Sequence, residues 1–128
     1  MDNERAASIT IAGKEYQLIL TTRATKEIAK RYGGLANLGD KLMKTENFEL
    51  ALDELIWLIA LLANQSILIH NFQHPEDKQE PLTEEEIELL TTPTDLAEYK
   101  DAIMDSMLRG TKRYVESEPQ PEKNASAG

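Results

Sequence analysis

The two histidines of this chain are the first candidates for chemistry. His70 and His74 are four positions apart, so on a continuous helix both imidazoles would face one side, with Glu76 and Asp77 nearby as oxygen ligands for a metal. Pro75 suggests instead that the helix runs out here, where His70 places a favourable charge at a helix C-terminus. We therefore predict no metal at this position.

Ser66 lies one helical turn before His70 and is the local candidate for nucleophilic catalysis, which also needs an orienting carboxylate. A serine within a helix usually bonds back to the preceding turn, and no glycine-rich elbow or oxyanion donor accompanies this one. Gly33-Gly34 lacks the further residues of a phosphate-binding loop, and the acidic run Glu84–Glu86 lacks the loop of a calcium-binding hand. The sequence therefore predicts a non-catalytic protein without a cofactor.

Length and charge limit the remaining function classes. The chain has 128 residues, the size of a single domain with one core. Its 14 Lys and Arg residues against 23 Asp and Glu residues give a net charge of -9, the wrong sign for binding nucleic acid or an anionic membrane surface. Cysteine is absent, which excludes disulfides and thiol chemistry. The first residues lack the pattern of a secretory signal, so we expect a cytoplasmic protein.

The first half of the chain predicts a β-hairpin followed by helices. The β-rich runs Ile9–Ile11 and Tyr16–Leu20 flank a turn at Ala12-Gly13-Lys14. Because a lone hairpin is only marginally stable, its apolar side chains should pack on the helices that follow. An amphipathic helix is predicted from an N-cap at Thr22 to the stop at Gly33-Gly34, and a second short helix from Leu35 to Lys44. The hairpin residues expected to face the helices are Ile9, Ile11, Tyr16 and Leu18.

The longest predicted element is a helix from Phe48 to about Phe72. Nine consecutive apolar residues, Leu55–Ala63, cover every direction around its axis, so we predict that other elements surround it in the core. Trp57 is then a core aromatic residue rather than a ligand anchor. The segment Leu55–Ile69 is the candidate for a membrane span, but Asn64-Gln65-Ser66 interrupt it and we predict none.

Two helices are predicted after a polar connector, Pro75–Pro81. The first begins with a capping box of Thr83 and Glu86, and the second begins with a capping box of Asp95 and Glu98 and runs to about Val115. The predicted fold is therefore mainly α, with a short N-terminal β-hairpin followed by about five helices packed around a central apolar helix. Residues 1–115 form one domain, and the polar residues 116–128 are predicted to be a disordered tail.

The last predicted helix carries a wide apolar stripe, because further apolar residues flank the helically spaced Leu96, Tyr99, Ile103 and Met107. An apolar stripe this wide must pack against two neighbouring elements to be covered. Either the core covers all of it, or part of it, rich in adaptable methionine, binds a partner or another copy of the chain. The residues of this candidate partner-binding surface are Tyr99, Ile103, Met104, Met107 and Leu108.

The order of elements in the first half of the chain is also informative. The segments Ile9–Tyr16, Leu20–Ala24 and Glu27–Leu35 precede the long apolar helix, giving a hairpin, an amphipathic helix that ends in glycine, a short helix and a buried helix. This order resembles that of the tail assembly chaperones of long-tailed bacteriophages and prophages. The resemblance covers roughly the first half of the chain and includes no signature residue.

The resemblance implies a non-catalytic protein of the host bacterial cytoplasm, absent from the mature virion, that coats the tape measure protein until tail tube proteins displace it. Members of that family multimerise around the tape measure and are often made in two lengths by ribosomal frameshifting. Glu122-Lys123-Asn124 could be encoded by a slippery run of that kind. A tape measure helix exposes apolar stripes that suit a helix-in-groove contact, and we expect the last helix to provide it.

Three other hypotheses remain open from the sequence. A structural head-to-tail connector of a phage would share the size, the helices and the absence of chemistry. A cytosolic regulator or antitoxin-like adaptor would form a tight complex with a non-phage partner. An enzyme would need a pocket with perturbed ionisable groups, which no motif predicts.

Overall fold

The computed structural model describes residues 6–34, 37–38 and 48–117, and the side chains of residues 7–34, 37–38 and 51–109 among them. The predicted mainly helical fold with an N-terminal hairpin is confirmed. This part of the chain forms four helices, so the predicted count of about five is slightly too high for it. The strands are β1, Ala6–Ile11, and β2, Lys14–Ile19; the helices are α1, Thr22–Tyr32, α2, Phe48–Gln73, α3, Glu84–Leu90, and α4, Pro93–Ser117.

The hairpin forms where the alternation of apolar residues predicts it. Strands β1 and β2 pair antiparallel, with Ala6 opposite Ile19 and Ile11 opposite Lys14. Ala12 and Gly13 join them with positive φ angles of 52° and 82°, as a two-residue turn between twisted strands requires. The predicted inner face is confirmed, because β1 packs on α4 and β2 packs on α2 and α4. On that face Ile9, Ile11 and Leu18 are buried and Tyr16 is partly buried.

Helix α1 has clear signals at both ends. Its N-cap is Thr21 rather than the predicted Thr22, because Thr21 has extended backbone angles and its hydroxyl accepts a hydrogen bond from the Ala24 amide at 3.0 Å. Gly33 ends the helix with φ at 85°, and its amide donates to the Ala29 carbonyl at 2.8 Å. The predicted glycine stop is therefore confirmed, since residues other than glycine rarely adopt that angle.

Helix α2 is the centre of the fold, as its apolar run predicts. Leu58, Ile59, Leu62 and Ala63 have no exposed surface. The helix packs against β2, α1, α3 and α4, so its apolar side chains meet neighbours on most sides. Trp57 is partly buried against the core and meets the Tyr32 ring edge-on, with ring centroids 5.9 Å apart.

The predicted second short helix, Leu35–Lys44, lies largely outside the described residues. Asn37 and Leu38 are helical, and the Leu38 side chain is fully buried in the core. The Asn37 side-chain amide donates to the Tyr32 carbonyl at 2.8 Å, which ties this segment to the end of α1.

Helices α3 and α4 both begin with capping boxes. The predicted box of Thr83 and Glu86 is confirmed by reciprocal bonds of 3.1 and 2.9 Å. For α4 the predicted box of Asp95 and Glu98 is wrong, because Thr92 caps the helix and the Asp95 carboxylate accepts from the Thr92 amide at 3.0 Å. Pro93 explains the earlier start, since its fixed φ suits the first helical position.

The end of α4 lies close to its predicted position, at Ser117 instead of Val115. The predicted division into a domain of residues 1–115 and a tail of residues 116–128 stays a prediction, because residues 118–128 lie outside the described residues.

One helical segment of the described chain, Ala51–Gln73, is long and apolar enough to cross a membrane by length and composition. Of the window that meets this test, 56% is buried inside the fold. Core helices of soluble proteins commonly meet the same test, and this segment is the central core helix here.

Candidate protein-binding surface

The histidine pair sits at the end of α2, where the helix gives way to the connector. His70 Nε2 lies 2.8 Å from the Asp77 carbonyl oxygen and 3.6 Å from the Asp77 carboxylate, and its ring lies 4.7 Å from the His74 ring. The His70 imidazole therefore faces the connector rather than Ser66. Within the described residues, no three His, Asp or Glu side chains are placed to hold a metal ion.

The structure places most of the predicted partner-binding residues of α4 against the core. Ile103 has no exposed surface and Met107 is 7% exposed, while Tyr99 and Met104 are partly buried. In this fold Ile103 and Met107 therefore have almost no surface to offer a partner, while the assignment of the set to partner binding stays a prediction. The hairpin and α2 cover this stripe, which is why it is wide. Leu108, with 63% of its surface exposed, is the most accessible member of the predicted set.

An open groove of about 830 Å³ lies between the start of α1 and the last two turns of α2. Phe72 and Leu68, one helical turn apart on α2, are 87% and 38% exposed. The exposed Phe72 and the partly exposed Leu68 give this groove an apolar side, which makes it a candidate binding surface. We call this feature the α1–α2 groove; its lining residues include Leu68, Ile69, Phe72, Thr22, Arg23 and Lys78.

Hydrogen bonds with asparagine side chains fix the connector that borders this groove. Asn71 accepts from the Gln79 amide at 2.7 Å and donates to the Gln79 carbonyl at 3.0 Å. Asn64 makes the same pair of bonds with the backbone of Leu82, at 2.7 and 2.8 Å. Because the asparagines are two helical turns apart, they hold the chain alongside α2. The Asn71 clamp thus holds the backbone immediately after Lys78, at the edge of the groove.

A buried glutamine links the other side of the groove to α2. Gln65 is only 4% exposed, and its carbonyl oxygen accepts from the Thr21 hydroxyl at 2.5 Å. Its amide donates to the Leu61 carbonyl at 3.0 Å, so both ends of the side chain are bonded. Thr21 in turn caps α1 through the Ala24 amide. One residue of α2 thereby sets the position of the first turn of α1, which carries Thr22 and Arg23.

The charge of the groove is opposite to that of the chain. Among its described lining residues the charged ones are Arg23 and Lys78, both basic, whereas the chain carries a net charge of -9. An apolar floor with basic side chains at its border favours a segment whose apolar residues have acidic neighbours. The same border disfavours a basic amphipathic helix.

A second exposed apolar feature lies on α3. Leu89 and Leu90 are 74% and 51% exposed, although Ile87 of the same helix is fully buried. Their helical neighbours Glu85 and Glu88 are exposed and acidic. We call this feature the α3 ridge and define it by four residues, Glu85, Glu88, Leu89 and Leu90.

A buried carboxylate elsewhere in the fold is part of a structural cluster. Glu54 is 6% exposed and accepts a hydrogen bond from the Tyr32 hydroxyl and one from Arg31 Nε at 3.2 Å. The Arg31 guanidinium also lies over the Trp57 ring, 4.4 Å from its centroid. Burial, and then the hydrogen bond to Glu54, raise the pKa of Tyr32 above its ordinary value. The cluster joins the end of α1 to α2.

Comparison of the chain with protein-family models, curated proteins and solved structures gave no match. The resemblance to tail assembly chaperones therefore rests on the pattern of residues described above. The groove and the ridge are independent of that resemblance, because they are defined by exposure and by contacts within the fold.

The groove is not evident from the sequence. On α2, Leu68 and Phe72 follow the apolar run without a break in helical spacing, so they look like two more core residues. They differ from core residues because α1 and the connector do not pack over them. The sequence contains one usable signal, the seven-residue spacing of Asn64 and Asn71, which puts two amide side chains on one face of a core helix.

Proposed function

We propose that this chain is a non-catalytic tail assembly chaperone that binds the tape measure protein of a phage and keeps it soluble during tail assembly. The observation that supports the proposal best is the α1–α2 groove, where Phe72 is 87% exposed beside Leu68 and Ile69. The order of elements in the first half of the chain supports the same function by resemblance.

Helix-in-groove binding is the contact that this surface favours. An amphipathic helix presents apolar side chains one turn apart, and Leu68 and Phe72 are spaced to meet them. Covering Phe72 contributes about 1.5–3 kcal/mol if the side chain becomes fully buried, and Leu68 contributes less because only 38% of its surface is exposed beforehand. The acidic remainder of the chaperone would keep the complex soluble, because its net charge of -9 opposes aggregation.

The basic side chains at the border of the groove restrict which partner segments can bind there. Arg23 and Lys78 would pair with acidic residues that flank the apolar stripe of the bound helix. We therefore place the partner contact at the groove instead of along the stripe of α4, and expect the bound segment to combine apolar residues with Asp or Glu.

Co-expression with the long helical protein encoded just downstream tests the function. The partner should be soluble and co-purify when this chain is present, and should be insoluble when it is absent. If the chain neither binds nor solubilises that protein, the proposal fails and the connector and regulator hypotheses take its place. Presence of the chain in purified virions would favour the connector.

A further inference from the structure

The α3 ridge adjoins a small apolar cleft. The cleft, of about 250 Å³, lies where α3 and the start of α4 meet the first part of α2. The residues of its floor are Leu52, Ile56 and Leu96. Leu89 and Leu90, 74% and 51% exposed, lie in sequence between two residues that line the cleft, Glu88 and Thr91. The leucines and the cleft therefore form a continuous apolar patch, which we call, together with the rest of the ridge, the α3 surface.

The charged residues of the α3 surface within the described part of the chain are all acidic. Asp53 and Glu88 border the cleft, and Glu85 belongs to the ridge. All three are exposed, and none forms an ion pair with a described residue. The chain has no lysine or arginine between Lys78 and Lys100, so the segment that carries the ridge has no basic side chain of its own.

Glu88 lies where its own helix disfavours a negative charge. It is in the last turn of α3, which ends at Leu90, and the C-terminal end of a helix dipole favours a cation. That turn carries no basic residue. The dipole and the capping box explain the acidic first turn, Glu84–Glu86, but they do not explain Glu88. A cation supplied by another molecule would pair with Glu88 and also complement this end of the helix.

We propose that the α3 surface is a second docking site, for a partner segment whose apolar residues are flanked by Lys or Arg. A basic amphipathic helix would cover the two exposed leucines and pair with the carboxylates at once. The α1–α2 groove disfavours the same segment, because Arg23 and Lys78 at its border are basic. This inference goes beyond the proposed function and does not rest on it, since the groove forms no part of the site.

The two sites are far enough apart to be occupied together. Ile56 lies in the cleft, whereas Phe72 lies in the groove. They are 16 positions apart on α2, which at 1.5 Å per residue is about 24 Å along the helix. The chain can therefore hold two segments of opposite charge, an acidic one in the groove and a basic one on the α3 surface.

Two synthetic peptides probe the α3 surface on the full chain. Each has about 15 residues of leucine and alanine in an amphipathic helical pattern, with either lysine or glutamate on the polar face. Fluorescence anisotropy of the labelled peptides measures binding at low and at high salt. The lysine peptide should bind the wild type, and its affinity should fall as salt is raised, because salt screens ion pairs on an exposed surface.

Paired substitutions locate the bound lysine peptide. The double variant Leu89→Ser with Leu90→Ser should weaken binding by about tenfold or more, whereas Leu108→Ser should bind like the wild type. Glu88→Gln should weaken binding by about two- to fivefold. Glu15→Gln, which removes the same charge from the start of β2, should not weaken it. All these side chains are exposed, and circular dichroism shows that each variant is folded.

Phe72→Ser separates this inference from the proposed function. It should leave binding of the lysine peptide unchanged, because Phe72 lies in the groove. If the lysine peptide does not bind, or if Phe72→Ser rather than the double variant loses binding, the inference is overturned. It is also overturned if Glu15→Gln weakens binding as much as Glu88→Gln, or if the glutamate peptide binds the α3 surface equally well, because charge then does not select the segment.

Sedimentation of the chain alone examines the other possible occupant, a second copy. The expected mass dependence on concentration is the same for the wild type and the double variant. A mass above 14.4 kDa that returns to this value only in the double variant would make a second copy the occupant and overturn the inference. Co-expression with the tape measure protein is a separate measurement, and either result there leaves the peptide binding interpretable.

Discussion

The hydroxyl of Tyr99 on α4 donates a hydrogen bond to the carbonyl oxygen of Thr10 on β1, at a distance of 2.6 Å. This bond joins residues 89 positions apart and fastens the last helix to the hairpin at the start of the chain. Ile103 and Met107 follow Tyr99 at helical spacing, which is why they point into the core beneath the hairpin. The apolar stripe of α4 therefore packs the last helix against the hairpin and α2.

Replacing Tyr99 with phenylalanine tests this fastening. The variant keeps the ring and loses the bond to Thr10, so we expect the free energy of unfolding to fall by about 1 kcal/mol. Urea unfolding followed by circular dichroism gives the value, and the spectrum of the folded protein should not change. A variant as stable as the wild type would show that the bond contributes nothing.

Met107 and Leu108 are adjacent in sequence but should respond oppositely to substitution by aspartate. Met107 is 7% exposed, so Met107→Asp buries a charge and should cost about 4 kcal/mol or more, enough to unfold a marginal domain. Leu108 is 63% exposed, and Leu108→Asp should change stability by about 0.5 kcal/mol or less. Thermal melts of both variants check this pair. Equal losses would mean that α4 is packed differently.

The two asparagine clamps offer a second matched pair. Asn64 bonds to the backbone of the buried Leu82, whereas Asn71 bonds to the exposed Gln79. Asn64→Ala leaves partly buried backbone groups without partners and should cost about 2 kcal/mol, while water can replace the bonds lost in Asn71→Ala, which should cost about 1 kcal/mol or less. Chemical unfolding measures both. If the two variants lose the same free energy of unfolding, the burial of the bonded backbone does not determine the contribution of these hydrogen bonds.

Stability should fall at alkaline pH because of Tyr32. Burial and the hydrogen bond to Glu54 raise its pKa above the ordinary value of 10.0. Above pH 10 the unfolded chain therefore loses this proton while the folded chain keeps it, which favours unfolding. Tyr32→Phe cannot lose a proton, so its stability should decline less steeply than that of the wild type from about pH 9 to pH 11. If the stability of both proteins declines equally with pH, another group causes the loss of stability at alkaline pH.

Local signals explain which parts of the fold the sequence predicts. Gly33 ends α1 and the box of Thr83 and Glu86 begins α3 because each depends on residues within a few positions. The unbroken apolar run of α2 likewise predicts a surrounded helix. Thr21 and Thr22 can both serve as the N-cap of α1. The backbone angles of Thr21 make it the cap, and these angles cannot be read from the sequence.

The candidate surface depends on long-range packing, which is why it cannot be predicted from the sequence. Leu68 and Leu62 are both leucines of α2, yet one is 38% exposed and the other fully buried, because α1 and the connector leave a gap beside the first. The same holds for α4, where the sequence left open whether the core or a partner covers the apolar stripe, and the hairpin and α2 cover most of it. An apolar stripe predicts burial but does not identify the element that covers it.

The most direct test of the proposed function compares Phe72→Ser with Leu108→Ser in a quantitative binding assay against the tape measure protein that we propose as the partner. Both side chains are exposed and apolar, and only the first lies in the α1–α2 groove. We predict that Phe72→Ser weakens binding by about tenfold or more while Leu108→Ser binds like the wild type. If Phe72→Ser binds as tightly as the wild type and Leu108→Ser loses binding, the partner does not bind in the groove, and the last helix provides the contact instead.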